Sequence, residues 1–143
     1  MIRRFGEPAL AGQTYQMRAG VYALLPLGRS LLVTYQSRPI SELQLPGGGV
    51  DPGESPLAAL HREAMEETGW KIAPIRRVGA FRRFTFMPDY DIWAEKICHI
   101  YLCQPIRQLR QPSEPYHTVE FIPIDKAPKM LGNTGDRYFA SLL

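Results

Sequence analysis

The chain has 143 residues, about the size of one ordinary domain, which argues against a two-domain enzyme. Hydrophobic residues make up 45%, enough for a core without disulfides or a structural metal, and the 12 glycines and 13 prolines are scattered among turns rather than collected in a disordered tail. A formal charge of +3 is too slight an excess to mark a nucleic-acid binder.

No apolar run approaches the roughly 20 residues of a membrane span. The longest early one, Val21 to Leu27, is broken by Pro26, and the basic start Met1-Ile2-Arg3-Arg4 leads into no apolar stretch. The expectation is a soluble, cytoplasmic protein formed of a single domain over residues 1–143. Cys98 and Cys103 fall on one expected strand, about 16 Å apart and on opposite faces, too far for a disulfide. Two thiols make no zinc site either, so both are expected to be packing residues in a reducing compartment.

In chain order, residues 15–25 and 30–36 read as strands joined by the turn chemistry of Pro26-Leu27-Gly28-Arg29. A short strand over 43–45 runs into Pro46-Gly47-Gly48-Gly49, where successive glycines call for a close backbone approach or a positive φ. A helix follows, with Ser55 as N-cap, Pro56 at its first position and Gly69 as its stop. At about 100° per residue, Leu57, Leu60, Ala64 and Thr68 form its core stripe. Residues 78–87 and 93–103 read as strands. The second is apolar on both faces, which places it centrally in a sheet. Residues 104–117 read as a loop, 118–123 as a strand, and 125–131 and 135–142 as helices capped by Asp125 and Thr134. Strands mixed with two or three helices predict a sheet sandwiched between helices.

The helix carries Arg62, Glu63, Glu66 and Glu67, and its three carboxylates crowd an arc of about 100° beside the core stripe. Glu63 and Glu67 are a repulsive i,i+4 pair, which Arg62 relieves in part by reaching Glu66. A solvated acidic face is the ordinary explanation for such a cluster, and a site for a hard cation the sharper one. The wider spacing decides between them. Gly48, Glu54, Arg62, Glu63, Glu66, Glu67 and Gly69 fit the pattern G-x5-E-x7-R-E-x-x-E-E-x-G, a coincidence expected about once in several million chains of this size at average residue usage.

That pattern resembles the signature box of the Nudix hydrolases, here Gly48 to Trp70, and the flanking Leu45-Pro46-Gly47-Gly48 and Phe121-Ile122-Pro123-Ile124 also look like the family. Ala64 stands where the family usually has a larger aliphatic residue, a departure that touches no charged position. The resemblance implies an α/β fold, an α/β/α sandwich with a mixed β-sheet between helices, whose loop–helix–loop holds Mg²⁺ or Mn²⁺ against a pyrophosphate. It also implies that Glu63 and Glu67 are the main metal ligands, with the Gly47 carbonyl as a further one. Glu66 is then an additional ligand or a water activator, and Glu54, Arg62 and Gly48 support the ligands. The charges agree with this, because glutamates alone would repel a pyrophosphate and only intervening cations make the arrangement attractive.

Outside the box, Glu114 in the loop 104–117 is the favoured general base, with Glu120, Glu95 and Glu66 as alternatives. Arg82, Tyr90 and Trp93 are candidates for substrate contact, although Arg82 and Arg83 point to opposite faces of a strand, so at most one of them faces a ligand. His117 and His61 carry little signal. Substrate-class markers expected beyond the box fall on Phe84 and Phe86 and match no subclass. The expected reaction is hydrolysis of a nucleoside diphosphate linked to another moiety. Competing readings are a silent Nudix-fold sensor, a nucleoside triphosphatase and an RNA 5′-pyrophosphohydrolase. The partner is then a small-molecule pyrophosphate and not a membrane, and the sequence is as compatible with a homodimer as with a monomer.

Overall fold

A computed structural model describes residues 2–143. Nine strands, β1 (Arg3–Arg4), β2 (Gln16–Leu24), β3 (Pro26–Leu27), β4 (Ser30–Gln36), β5 (Glu42–Gln44), β6 (Gly47–Gly49), β7 (Trp70–Met87), β8 (Ile92–Gln108) and β9 (His117–Pro123), accompany three helices, α1 (Pro56–Thr68), α2 (Ala127–Met130) and α3 (Thr134–Ala140). The larger sheet runs β1-β7-β8-β2-β6, and β4 pairs with β3, β5 and β9 in a smaller one. The larger sheet is mixed: β2 and β8 are parallel, while β7 and β8, and β2 and β6, are antiparallel.

Strand alternation builds two cores. On one side Leu24, Leu31, Val33, Phe81, Cys98 and Ile100 pack with Leu131, Phe139 and Ala140 of the C-terminal helical segment. On the other, Val21, Ala23, Leu25, Leu32, Ile72 and Cys103 pack under Ala59, Leu60 and Ala64 of α1. Successive residues of β2 and β4 thus enter opposite cores, as a period of two requires of strands covered on both faces. The result is the expected mixed sheet between helices, with β8 central in it. Cys98 and Cys103 are free, buried, and divided between the two cores.

Helix α1 is capped as its sequence predicts. The Ser55 Oγ accepts from the Ala58 N–H at 3.1 Å, and Gly69 ends the helix at φ 74°. Its core stripe is shifted, however. Leu57 is 47% exposed, while Ala59 and Glu67 are buried beside Leu60, Ala64 and Thr68. Leu57 lies in the first turn of α1.

Other boundaries also move. β7 begins at Trp70, directly after the helix stop, and β8 runs on through Gln108, so 70–73 pairs with 104–108 where a loop was expected. Prolines 74 and 105 hid this pairing in the sequence, and a register shift between Pro74 and Arg76 accommodates the first of them. Gly47–Gly49 is itself a strand, paired with Gly20–Tyr22. Asn133, not Thr134, caps α3, accepting from the Asp136 N–H at 2.8 Å. Asp125 caps nothing; it lies in a 3-10 turn over Ile124–Lys126.

Candidate active site

The loop before α1 is folded back onto the helix by one side chain. Arg62 forks onto Glu54, with Nε 2.8 Å from Oε2 and Nη2 2.9 Å from Oε1. Its Nη1 donates to Glu63 at 2.9 Å and Glu66 at 3.3 Å, and Nη2 also donates to the Gly49 carbonyl at 3.0 Å. An arginine suits this position because its planar guanidinium offers five donors in fixed directions. The Arg62 fork, aided by the Asp51 N–H, holds the Glu54 carboxyl down at about 2, so Glu54 stays an anion at any working pH.

Glu67 and Glu63 are in the opposite condition. Glu67 is only 7% exposed. Its Oε1 accepts from the Gly47 N–H at 3.0 Å, and its Oε2 lies 3.8 Å from His117 Nε2. The other ring nitrogen of His117 is 3.0 Å from the Thr34 hydroxyl. Burial pushes the Glu67 carboxyl well up, the Gly47 amide opposes this, and Glu63, Glu114 and Glu66 add to it. Burial lowers the His117 pKa, which works against a charged imidazolium beside the carboxylate. Glu63 is also raised, first by burial, against the pull of Arg62.

Gly48 is required by close approach. A Cβ there would fall 2.6 Å from the Glu63 carboxylate, and one on Gly47 would collide with the Val21 carbonyl. The two glycines let the β6 backbone lie directly against the acidic face of α1.

Gly47, Gly48, Glu63, Glu67 and Glu114 line one cleft of about 440 Å³. Arg62, Glu54 and Glu66 stand behind this wall. The Glu66 carbonyl accepts from the Ser113 and Glu114 N–H groups, both at 2.8 Å, and so ties the Glu114 loop to the helix. Tyr90 lines the cleft, but Arg82 and Trp93 do not. Arg82 points to the opposite face of β7 and pairs with Glu95 at 3.4 Å, which also removes Glu95 from the site. Arg83 takes the cleft-facing position instead. Trp93 packs edge-on to Tyr15 and against Phe86, and Glu120 is exposed on β9 away from the cleft lining.

His117, which carries little signal in the sequence, also lines the cleft, as do Tyr22, Arg18, Lys96 and Asp136, which carry none. Each comes from a different part of the chain from the box. Asp136 is buried, and its Oδ2 accepts from the Leu45 N–H at 3.2 Å. Burial pushes its carboxyl up to about 6 against the pull of that amide and of Arg83.

The donor set fits a hard divalent cation. Glu67 is a buried carboxylate whose hydrogen-bond partner is an amide, and Glu63, Glu66 and Glu114 all repel it. Among the described residues, no three His, Cys, Asp or Glu side chains are gathered into a coordination shell. Arg62 engages Glu63 and Glu66 in this arrangement.

A sequence model of the NUDIX domain matches residues 14–143. A Bacillus subtilis (strain 168) protein is 37% identical over 79 residues, 55% of this chain and 52% of its own length. The CMP-5'-(N-acetyl-N-hydroxy-3-aminopropyl)phosphonate hydrolase of Streptomyces rubellomurinus is 32% identical over 106 residues, 71% of this chain and 48% of that protein. The chain therefore spans about half the length of the curated relatives it matches. Among solved structures, the MutT protein of Methanosarcina mazei Go1 superposes with a TM-score of 0.71 at 20% identity, covering 94% of this chain and 95% of the other. The likeness of fold and the match across nearly the whole chain lead to one conclusion: this protein belongs to the NUDIX family.

Proposed function

We propose that the protein hydrolyses a pyrophosphate bond in a nucleoside diphosphate linked to another moiety, with Mg²⁺ or Mn²⁺ held by Glu63, Glu67, Glu66 and the Gly47 carbonyl. The observation that carries this reading is Glu67, a buried carboxylate on a cleft wall it shares with Glu63 and Glu114. Such a group is costly to keep ionised without a cation. The bound cation supplies charge neutralisation at the phosphates and a lowered pKa for water.

The chain's own groups do the rest. Glu114 lines the cleft on a loop anchored to the Glu66 carbonyl, so its carboxylate is the proposed acceptor for the proton of the attacking water. The water oxygen bonds to phosphorus as the bridging P–O bond breaks, and the departing phosphate keeps the bonding electron pair. Arg62 fixes the directions of Glu63 and Glu66, and Glu54 fixes Arg62. The relative named as a hydrolase of a CMP-linked phosphonate supports a nucleotide-linked substrate. Two unpaired, buried thiols agree with a cytoplasmic setting.

The test is phosphate release from a panel of nucleoside diphosphate and triphosphate derivatives with Mg²⁺. Cleavage of one compound class, falling at least about 10³-fold in folded Glu67→Gln and Glu63→Gln, is expected on the scale of losing a charge-stabilising group. Near wild-type rates in both variants would sink the metal-site claim. Silence across the panel from folded, Mn²⁺-binding wild type would overturn the nucleotide substrate.

A further inference from the structure

Three cations stand side by side across the sheet floor of the cleft. Arg18 on β2 is in register with Lys96 on β8, and Lys96 is in register with Arg83 on β7. In-register neighbours share a sheet face, and all three side chains line the cleft. Like charges placed directly opposite one another destabilise a sheet, so the row is unfavourable for the fold alone.

No ion pair neutralises it, and the buried Asp136 carboxyl, on which Arg83 and Lys96 both pull, offsets it only from a distance. Among the described residues, every ion pair involves Arg62, Arg82 or His117, and none involves these three cations. Aromatic faces position two of them: the Arg18 guanidinium lies 4.8 Å from the Tyr90 ring centre, and the Lys96 ammonium 5.7 Å from that of Tyr22. These contacts orient the charges without cancelling them. Two carboxylates line this end of the cleft: exposed Asp89, and Asp136, which lies beyond ion-pair distance of all three cations and has one oxygen on the Leu45 amide. Burial lowers the Lys96 pKa, which is the cost of holding an ammonium there.

The row is distinct from the acidic wall. Gly48 and Gly47, which lie against Glu63 and Glu67, pair with Val21 and Tyr22, three and four residues along β2 from Arg18, so the backbones of the two regions are separated by roughly 10–13 Å. That spacing leaves room for a second anionic group of the substrate beside the scissile pyrophosphate. We propose that Arg18, Lys96 and Arg83 form a subsite for a phosphomonoester carried on the part of the substrate remote from the scissile pyrophosphate. The proposal rests on the hydrolase reading above and narrows its substrate class. A phosphomonoester matches the row better than a carboxylate, because it brings nearly two charges and three acceptor oxygens to three multidentate donors.

Two matched pairs of compounds test this: NADP⁺ against NAD⁺, and coenzyme A against 3′-dephospho-coenzyme A. Each pair differs by a single phosphomonoester. Affinity is measured by calorimetry on the full chain without divalent cation, so that the readout does not depend on turnover. The phosphorylated member of at least one pair is expected to bind tenfold or more tightly. Lys96→Met and Arg83→Met should each remove that preference while leaving affinity for the unphosphorylated member unchanged. Arg18→Gln gives the same readout if either of those variants does not fold. Equal wild-type affinities within both pairs would overturn the subsite, as would variants that weaken both members equally. A preference that persists while no compound is hydrolysed would instead overturn the hydrolase reading alone, and hydrolysis without any preference would overturn the subsite alone.

Discussion

The two walls of the cleft are built on different principles. The α1 wall is acidic, and Arg62 ties it into one network through four hydrogen bonds to three carboxylates. The sheet floor opposite is cationic, drawn from three strands, and has no such hub. On the helix, a spacing of four residues brings Arg62 to Glu66, and its remaining donors reach the adjacent Glu63 and, in the loop before α1, Glu54. On the sheet, neighbours are set by register between segments far apart in sequence. Charges there meet because the fold brings them together.

The acidic wall offers the sharpest ways to break that contrast. Gly48→Ala would drive a methyl into the Glu63 carboxylate, and a misplacement of this kind costs about 10²-fold in rate. Gly49→Ala has open space around its Cβ and should keep most activity, so the two variants assayed side by side separate a steric effect from general loosening of β6. Equal losses in both would mean that close approach at Gly48 is not what matters.

Arg62→Lys keeps one charge and removes the fork. A loss of about 10- to 100-fold is expected, in the range seen when a group orienting metal ligands is removed. The Glu54 carboxyl should rise from about 2 toward its ordinary value near 4.5 as its two hydrogen bonds to the guanidinium are lost. A side-chain carbon NMR titration reads this directly, and an unmoved Glu54 would show that charge alone suffices.

The expected effect at the floor is on stability rather than on rate. Burial raises the Asp136 carboxyl to about 6 from an ordinary 3.8, so the folded protein holds this proton more tightly than the unfolded chain. The stabilisation from the bound proton is complete below the unfolded value and is lost as pH rises through about 6. The full difference is on the order of 2–3 kcal/mol. Urea midpoints for wild type should therefore fall between pH 4.5 and 7, and Asp136→Asn should flatten that slope. A slope unchanged in the variant would place its origin elsewhere, with Glu63 and Glu67 the next groups to substitute.

The same contrast explains what was legible in the sequence. The α1 caps, the glutamate arc and the Arg62–Glu66 contact follow from helical periodicity and local hydrogen bonding, and the structure shows each of them. The central place of β8 was legible because an apolar residue on both faces has only one comfortable environment. The extension of β7 and β8 was hidden by prolines that a bulged ribbon accommodates. Arg83 rather than Arg82 faces the cleft because β-strand phase is fixed by tertiary packing and not by adjacency. His117 approaches Glu67 only because β9 pairs with β4 beside Thr34, a contact between residues 83 apart in the chain.

The two thiols have a consequence for chemical reactivity. Burial pushes Cys98 up to about 11 and Cys103 up to about 12, and the thiolate is the form that alkylating reagents attack. Both thiols are held in the less reactive protonated form, and each reports a different environment. Alkylation of Cys103 reports the lifting of α1, whereas Cys98, packed with the C-terminal helices, also lines the cleft and reports access from that side. The chain thus carries a pair of internal reporters, one for each half of its sandwich.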